Sequence, residues 1–154
     1  MNLVERLTAA KEAGDYQGLV EAIPYAKFLG LKAELVPGGS TASSTNVDEL
    51  VTTMTFGPHL IGNPALPALH GGTLGALLES AAIFEVLWRA ESIVLPKTIT
   101  FTVDYLRSAA AIDTHARGLI TRQGRRVTNV RIEAWQEDRA KPVATANAIL
   151  LVMK

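Results

Sequence analysis

Glu79 is the residue whose surroundings are hardest to explain without chemistry. It ends the run Leu69-His70-Gly71-Gly72-Thr73-Leu74-Gly75-Ala76-Leu77-Leu78-Glu79, nine residues after His70 and eight after Gly71. On a helix it reaches only Gly75, Ala76, Ala82 and Ile83, and none of these can satisfy a carboxylate. Such an acid either bonds a backbone amide or a distant Arg, or it serves as a general base or nucleophile. The Gly71-Gly72 pair opens the same helix. The first amides of a helix have no internal partner and lie at the positive end of its dipole. With no Cβ at either glycine, an oxyanion can approach the backbone; the same pair also suits a tight helix entry with no chemistry at all. Gly71 and Glu79 stand roughly 12 Å apart at about 1.5 Å per residue. One carbonyl group cannot touch both on a single helix, so a site built from the two requires two subunits.

The element that must carry these groups is a long helix over residues 72–90. Leu74, Leu77, Ala81, Phe84 and Trp88 fall on one stripe, and Gly75, Ala82, Ile83 and Val86 keep the opposite side small and apolar. A helix apolar almost all round is a buried helix. Glu85 has Arg89 one turn later as a natural partner.

Upstream, residues 2–12 and 16–29 read as short helices interrupted at Gly14-Asp15 and Pro24. They form an N-terminal helical extension over residues 1–30, packed outside a main domain of residues 31–154. Strands are expected at 31–36 and 49–56. Between them, residues 37–46 form a polar hairpin or loop without the Gly-Lys-Ser/Thr ending of a phosphate cradle. Residues 57–69, with three prolines, read as a loop into the helix. Beyond it the period changes to two: Ile99, Phe101, Val103 and Tyr105 alternate with Thr98, Thr100, Thr102 and Asp104, the pattern of a half-buried strand. Strands at 114–121, 127–135 and 142–153 follow, the last with a small face of Ala144, Ala146 and Ala148 against which a bulky helix can lie. The expectation is an α+β fold, one long helix wrapped by five or six antiparallel strands.

Composition narrows the classes. The chain has 154 residues, 48% hydrophobic, with 15 basic and 15 acidic side chains. One domain with a sizeable core fits this length, and zero net charge argues against a general nucleic-acid or anionic-membrane binder. There is no Cys, hence no disulfide and no thiol nucleophile, which is compatible with a reducing cytoplasm. Charges within the first twenty residues and on the long helix argue against a signal peptide or a membrane span. His59 and His115 have no metal-like spacing, so no metal is expected. No Gly-x-Ser-x-Gly elbow is present.

Asn63, the His70-Gly71-Gly72 turn, Glu79, the Val103-Asp104-Tyr105-Leu106-Arg107 segment and the Gly124-Arg125 hairpin together resemble the hotdog-fold acyl-CoA thioesterases of the PaaI-like and 4-hydroxybenzoyl-CoA thioesterase branches. The resemblance covers about residues 45–152. Most PaaI-like members have Asp where this chain has Glu79, and Pro often stands where it has Ser108.

The resemblance implies a dimer joined edge to edge, often paired into a homotetramer, with acyl-CoA in the seam between subunits. It implies that the amide of Gly71, beside Gly72, binds the thioester oxygen while Glu79 of the other subunit acts as base or nucleophile. Asn63 then positions water or the acyl group, unless it is a turn former before Pro64. His70 fixes the turn by hydrogen bonding, or transfers a proton. Thr98 presents a hydroxyl to water, or is an ordinary exposed strand residue. Arg107, Arg122, Arg125 and Arg126, gathered at strand ends, offer guanidinium groups to the phosphates of coenzyme A, or simply solvate a hairpin. Coenzyme A enters as part of the substrate and no separate cofactor is expected. A hotdog domain that binds acyl-CoA without hydrolysing it is the alternative.

Overall fold

The computed structural model describes residues 1–38 and 47–153; most of the expected 37–46 loop lies outside the described residues. Three short helices come first: α1 (Leu3–Glu12), α2 (Tyr16–Glu21) and α3 (Pro24–Phe28). Each starts where its sequence provides a start signal. Asn2 and Glu5 form a reciprocal capping box, Asp15 accepts from the amide of Gly18, and Pro24 occupies the first turn of α3, satisfying or removing donors that have no helical acceptor. Gly30, at φ +68°, turns the chain into the sheet.

The strands are β1 (Leu31–Val36), β2 (Glu49–Met54), β3 (Ile61–Asn63), β4 (Ala68–Leu69), β5 (Lys97–Tyr105), β6 (Thr114–Gln123), β7 (Val127–Trp135) and β8 (Ala144–Leu151). Six make one antiparallel sheet in the order β1-β2-β6-β7-β8-β5. β3 and β4 pair as a small separate hairpin within the segment expected to be loop.

The long helix α4 (Gly71–Arg89) lies on one face of the sheet. Its Leu74, Leu77, Leu78, Ala81, Phe84 and Leu87 are buried together with Ala144, Ala146 and Ala148 of β8, as the small-residue face of that strand requires. Gly118 of β6 sets the closest approach. A Cβ there would meet Glu85 Cβ and Val130 Cγ1, each at 3.1 Å. Leu7, Leu19, Val20, Ala22, Ala26 and Leu29 of the first three helices join the same cluster, and Trp88 meets Tyr16 edge to face at 4.6 Å.

The two sheet edges differ. Gln17 of α2 covers β1 like a short strand, accepting from the amide of Ala33 at 3.2 Å and donating to the carbonyl of Leu31 at 3.4 Å. β5 has β8 on one side and no described strand on the other, and Ile99 and Tyr105 are exposed along it. An edge left with free donors and acceptors is a pairing surface.

Candidate active site

His70 is the N-cap of α4. Its amide donates to the carbonyl of Leu60 at 2.8 Å, and its Nδ1 accepts from the amide of Gly72 at 2.9 Å. His70 therefore holds the turn. Its carbonyl accepts from the Thr73 hydroxyl at 2.7 Å and from the amides of Thr73 and Leu74 at 3.0 and 3.4 Å. Among the described residues, the Gly71 amide has no acceptor. It is a donor at the positive end of a 19-residue helix, where an anionic oxygen is favoured.

The glycines at this entry also have reasons internal to the chain. A Cβ on Gly71 would meet Tyr105 Cε1 and Cζ at 3.3 Å, and one on Gly72 would meet His70 Nδ1 at 2.9 Å. Gly71 makes room for the Tyr105 ring, whose hydroxyl donates to the Gly71 carbonyl at 2.8 Å. Gly72 makes room for the imidazole that caps its own amide.

Glu79 is half-buried, and its Oε1 accepts from the Thr98 hydroxyl at 2.6 Å. Simple alternation along β5 places Ile99 toward the helix and Thr98 away from it. The structure corrects this. The β5–β8 register shifts between Thr98 and Thr100, so that Thr98 pairs with Leu150 while Phe101, Val103 and Tyr105 pair with Ala148, Ala146 and Ala144. These four partners are buried on the helix side. One bulged residue, Ile99, thus turns Thr98 inward onto Glu79 and is itself 57% exposed, the re-aiming that bulges perform beside functional sites.

Glu85, six residues on from Glu79, has a different setting. Arg89 Nε donates to its Oε1 at 2.8 Å, the partner expected from spacing. Its Oε2 is buried without a partner among the described residues. Burial holds this carboxyl above its ordinary range, opposed by the hydrogen bond and charge of Arg89, because a low-dielectric setting disfavours the charged form.

The remaining predicted residues scatter. Asn63 is exposed and accepts from the amide of Ala65 at 3.0 Å, which makes it a turn former in this chain. Arg122, Arg125 and Arg126 lie at the β6–β7 hairpin, beside the Lys97 and Leu151 ends of β5 and β8. Arg107 follows the other end of β5, roughly 26 Å away at about 3.3 Å per residue. Within one chain the four arginines do not form one cluster. His115 Nδ1 meets Thr53 Oγ1 at 2.8 Å, and no group of three metal-ligating side chains comes together among the described residues. No described helix is long and apolar enough to cross a membrane. Leu69, Leu74 and Phe84 belong to the core, whereas Leu66 is exposed.

Two cavities of the chain lie elsewhere. One of about 520 Å³ opens between Glu49, Glu85, Arg89 and Arg117, and another of about 620 Å³ between Gln17, Ala33, Thr53 and His115. Neither is lined by Gly71 or Glu79. Gly71 and Glu79 lie instead near the two ends of β5, in contact with Tyr105 and Thr98.

Sequence reasoning did not foresee the two hydroxyl contacts at this turn, Thr73 to the His70 carbonyl and Tyr105 to the Gly71 carbonyl. The available signal was Gly71, whose missing side chain leaves room for a ring.

The family model for the acyl-CoA thioesterase N-terminal domain matches residues 62–151. Comparison with curated proteins gives no match. A Chromobacterium violaceum protein of known structure is 37% identical over 97% of this chain and 98% of its own, with a TM-score of 0.73. A phenylacetic acid degradation-related protein from Ralstonia eutropha is 26% identical over 98% and 100%, with a TM-score of 0.72. A Bacillus halodurans protein solved with CoA shares the fold at 19% identity, over 99% and 89%, with a TM-score of 0.67. With a six-stranded antiparallel sheet around one long helix and a family match across β3 to β8, this chain belongs to the hotdog-fold acyl-CoA thioesterases.

Proposed function

We propose that this protein hydrolyses an acyl-CoA thioester to the free acid and coenzyme A at a site shared by two copies of the chain. The observation that carries this reading is a Gly71 amide with no acceptor among the described residues and a Thr98-bonded Glu79, both held by β5, which has no described strand on its outer side. Antiparallel pairing of β5 with its copy sets the Thr98 end of one strand beside the Tyr105 end of the other. Gly71 lies at the Tyr105 end. Each seam then joins the Gly71 amide of one subunit to Glu79 of its partner, which removes the separation along a single helix.

In the reaction the thioester oxygen accepts from the Gly71 amide as negative charge develops on it; one backbone donor of this kind contributes about 3 kcal/mol in the transition state. Glu79 either takes a proton from water as water attacks the carbonyl carbon, or attacks it directly to form a mixed anhydride that water then cleaves. The C–S bond breaks, and the departing sulfur takes a proton that water supplies, by way of Glu79 in the first route and from solvent in the second, so that coenzyme A leaves as the thiol. Thr98 holds the Glu79 carboxylate toward the seam. The same pairing brings Arg107 of one subunit near the partner's hairpin, where Arg122, Arg125 and Arg126 offer guanidinium groups to phosphates. Two such dimers build a homotetramer, and a cytoplasmic enzyme fits the lack of cysteine.

Release of free thiol from short, medium, branched and aromatic acyl-CoAs, by native protein and Glu79→Gln of checked oligomeric state, tests this. A loss of about two orders of magnitude or more in a correctly assembled variant supports Glu79 as the reacting group. Binding of acyl-CoA with no hydrolysis by the native protein moves the assignment to a non-catalytic binder.

A further inference from the structure

We propose that Tyr105 and Thr73 are positioning residues that hold the Gly71 amide in place; the inference rests on the hydrolytic reading above, in which that amide binds the thioester oxygen. Gly71 has no side chain to anchor it, yet both of its flanking peptide planes are pinned. The carbonyl before its amide, that of His70, receives the Thr73 hydroxyl at 2.7 Å in addition to two backbone amides. The carbonyl after it, its own, receives the Tyr105 hydroxyl at 2.8 Å.

The Tyr105 ring also fills the space that Gly71 leaves, since a Cβ on Gly71 would press the ring at 3.3 Å. Tyr105 comes from the same strand, on the same helix-facing side, as Thr98. β5 therefore sets the geometry of both chemical groups, the amide through Tyr105 and the carboxylate through Thr98. Hydrogen bonds to the His70 carbonyl also polarise the peptide whose N–H is Gly71's, strengthening it as a donor. An oxyanion donor must be in place before the charge develops, so looseness here costs turnover more than binding.

Tyr105→Phe keeps the ring and removes only the hydroxyl bond; Thr73→Val does the same for the other carbonyl. With the best acyl-CoA of the panel, each variant is expected to lower kcat about tenfold with KM within about twofold, and the double variant to lose less than the product of the two. A role in stability alone lowers Tm and leaves this kcat-against-KM split unmoved. The second readout is the ¹⁵N order parameter of the Gly71 amide, expected near 0.85 in native protein and falling toward about 0.6 in Tyr105→Phe. Unchanged kcat and order parameter in Tyr105→Phe overturn the proposal. If Tyr105→Phe does not fold, Thr73→Val decides by the same two measurements. If native protein releases no thiol, the hydrolytic reading fails, and the Gly71 order parameter alone decides whether these residues pin the amide.

Discussion

Two glutamates on one helix, six residues apart, meet opposite environments, and the difference is set by what each carboxylate can touch. Glu79 faces the bare strand edge and takes a hydroxyl from Thr98. Glu85 lies over Gly118, gives one oxygen to Arg89 and leaves the other buried without a partner among the described residues. Burial raises the Glu85 carboxyl above its ordinary range against the opposing charges of Arg89 and Arg117, with Glu49 adding to the rise. The folded chain therefore holds this proton more tightly than the unfolded chain. Its contribution to stability is fully present below the unfolded glutamate value of about 4.3 and is lost as pH rises through the raised folded value. Glu85→Gln removes that loss. Urea unfolding of both proteins from about pH 4 to about pH 8 is expected to show the variant gaining on the native protein as pH rises; a difference that stays flat excludes Glu85 as the source.

At the scale of elements, glycines and one bulge do the fitting that side chains cannot. Gly118 is fully occupied, since a Cβ there would press both Glu85 and Val130 at 3.1 Å. Gly75 is not. Its nearest neighbour to an added Cβ is the Tyr105 hydroxyl at 3.6 Å, an ordinary contact, and a mid-helix glycine costs the folded state backbone entropy. Gly75→Ala is expected to raise stability by about 0.5–1 kcal/mol, read as an upward shift in Tm, without displacing Tyr105. The bulge at Ile99 is the opposite kind of device. It spends one residue of ladder pairing to put Thr98 on the same face as Tyr105.

The whole molecule is asymmetric in its edges. Gln17 closes β1, while β5 has no described strand on its outer side and contacts Glu79 through Thr98 and Gly71 through Tyr105. A site made of Gly71 from one copy and Glu79 from the other makes a prediction no single-chain site shares. Gly71→Pro removes the donor; His70 already has the extended ψ of 130° that precedes proline, and the Tyr105 ring, 3.3 Å from a Cβ at this position, gives way by a few tenths of an ångström. Gly71→Pro and Glu79→Gln are each expected to be inactive alone. Co-refolded in equal amounts, they are expected to recover about a quarter of native thiol release, since half the dimers are mixed and one of the two sites in each is whole. No recovery from dimers shown to be mixed places both groups of each site in one chain.

The local elements were legible in the sequence wherever a residue type acts on its own neighbours. Pro24, the start of α4 at His70-Gly71, the Glu85–Arg89 pair, the strand at 31–36 and the alanine face of β8 all follow from spacing, and the hotdog family from His70-Gly71-Gly72 with Glu79 and the Tyr105-Leu106-Arg107 segment. What the sequence could not carry is register and reach. Alternation alone put Ile99 inward, because a bulge is a relation between two strands and leaves no mark on one of them. The partner of Glu79, the ring that needs Gly71, and the distance between Arg107 and the hairpin arginines all depend on which strands lie side by side. Sequence determined the elements and the chemistry they carry; tertiary structure decided which of those groups meet, because contacts between residues far apart in the chain are fixed by packing and strand register.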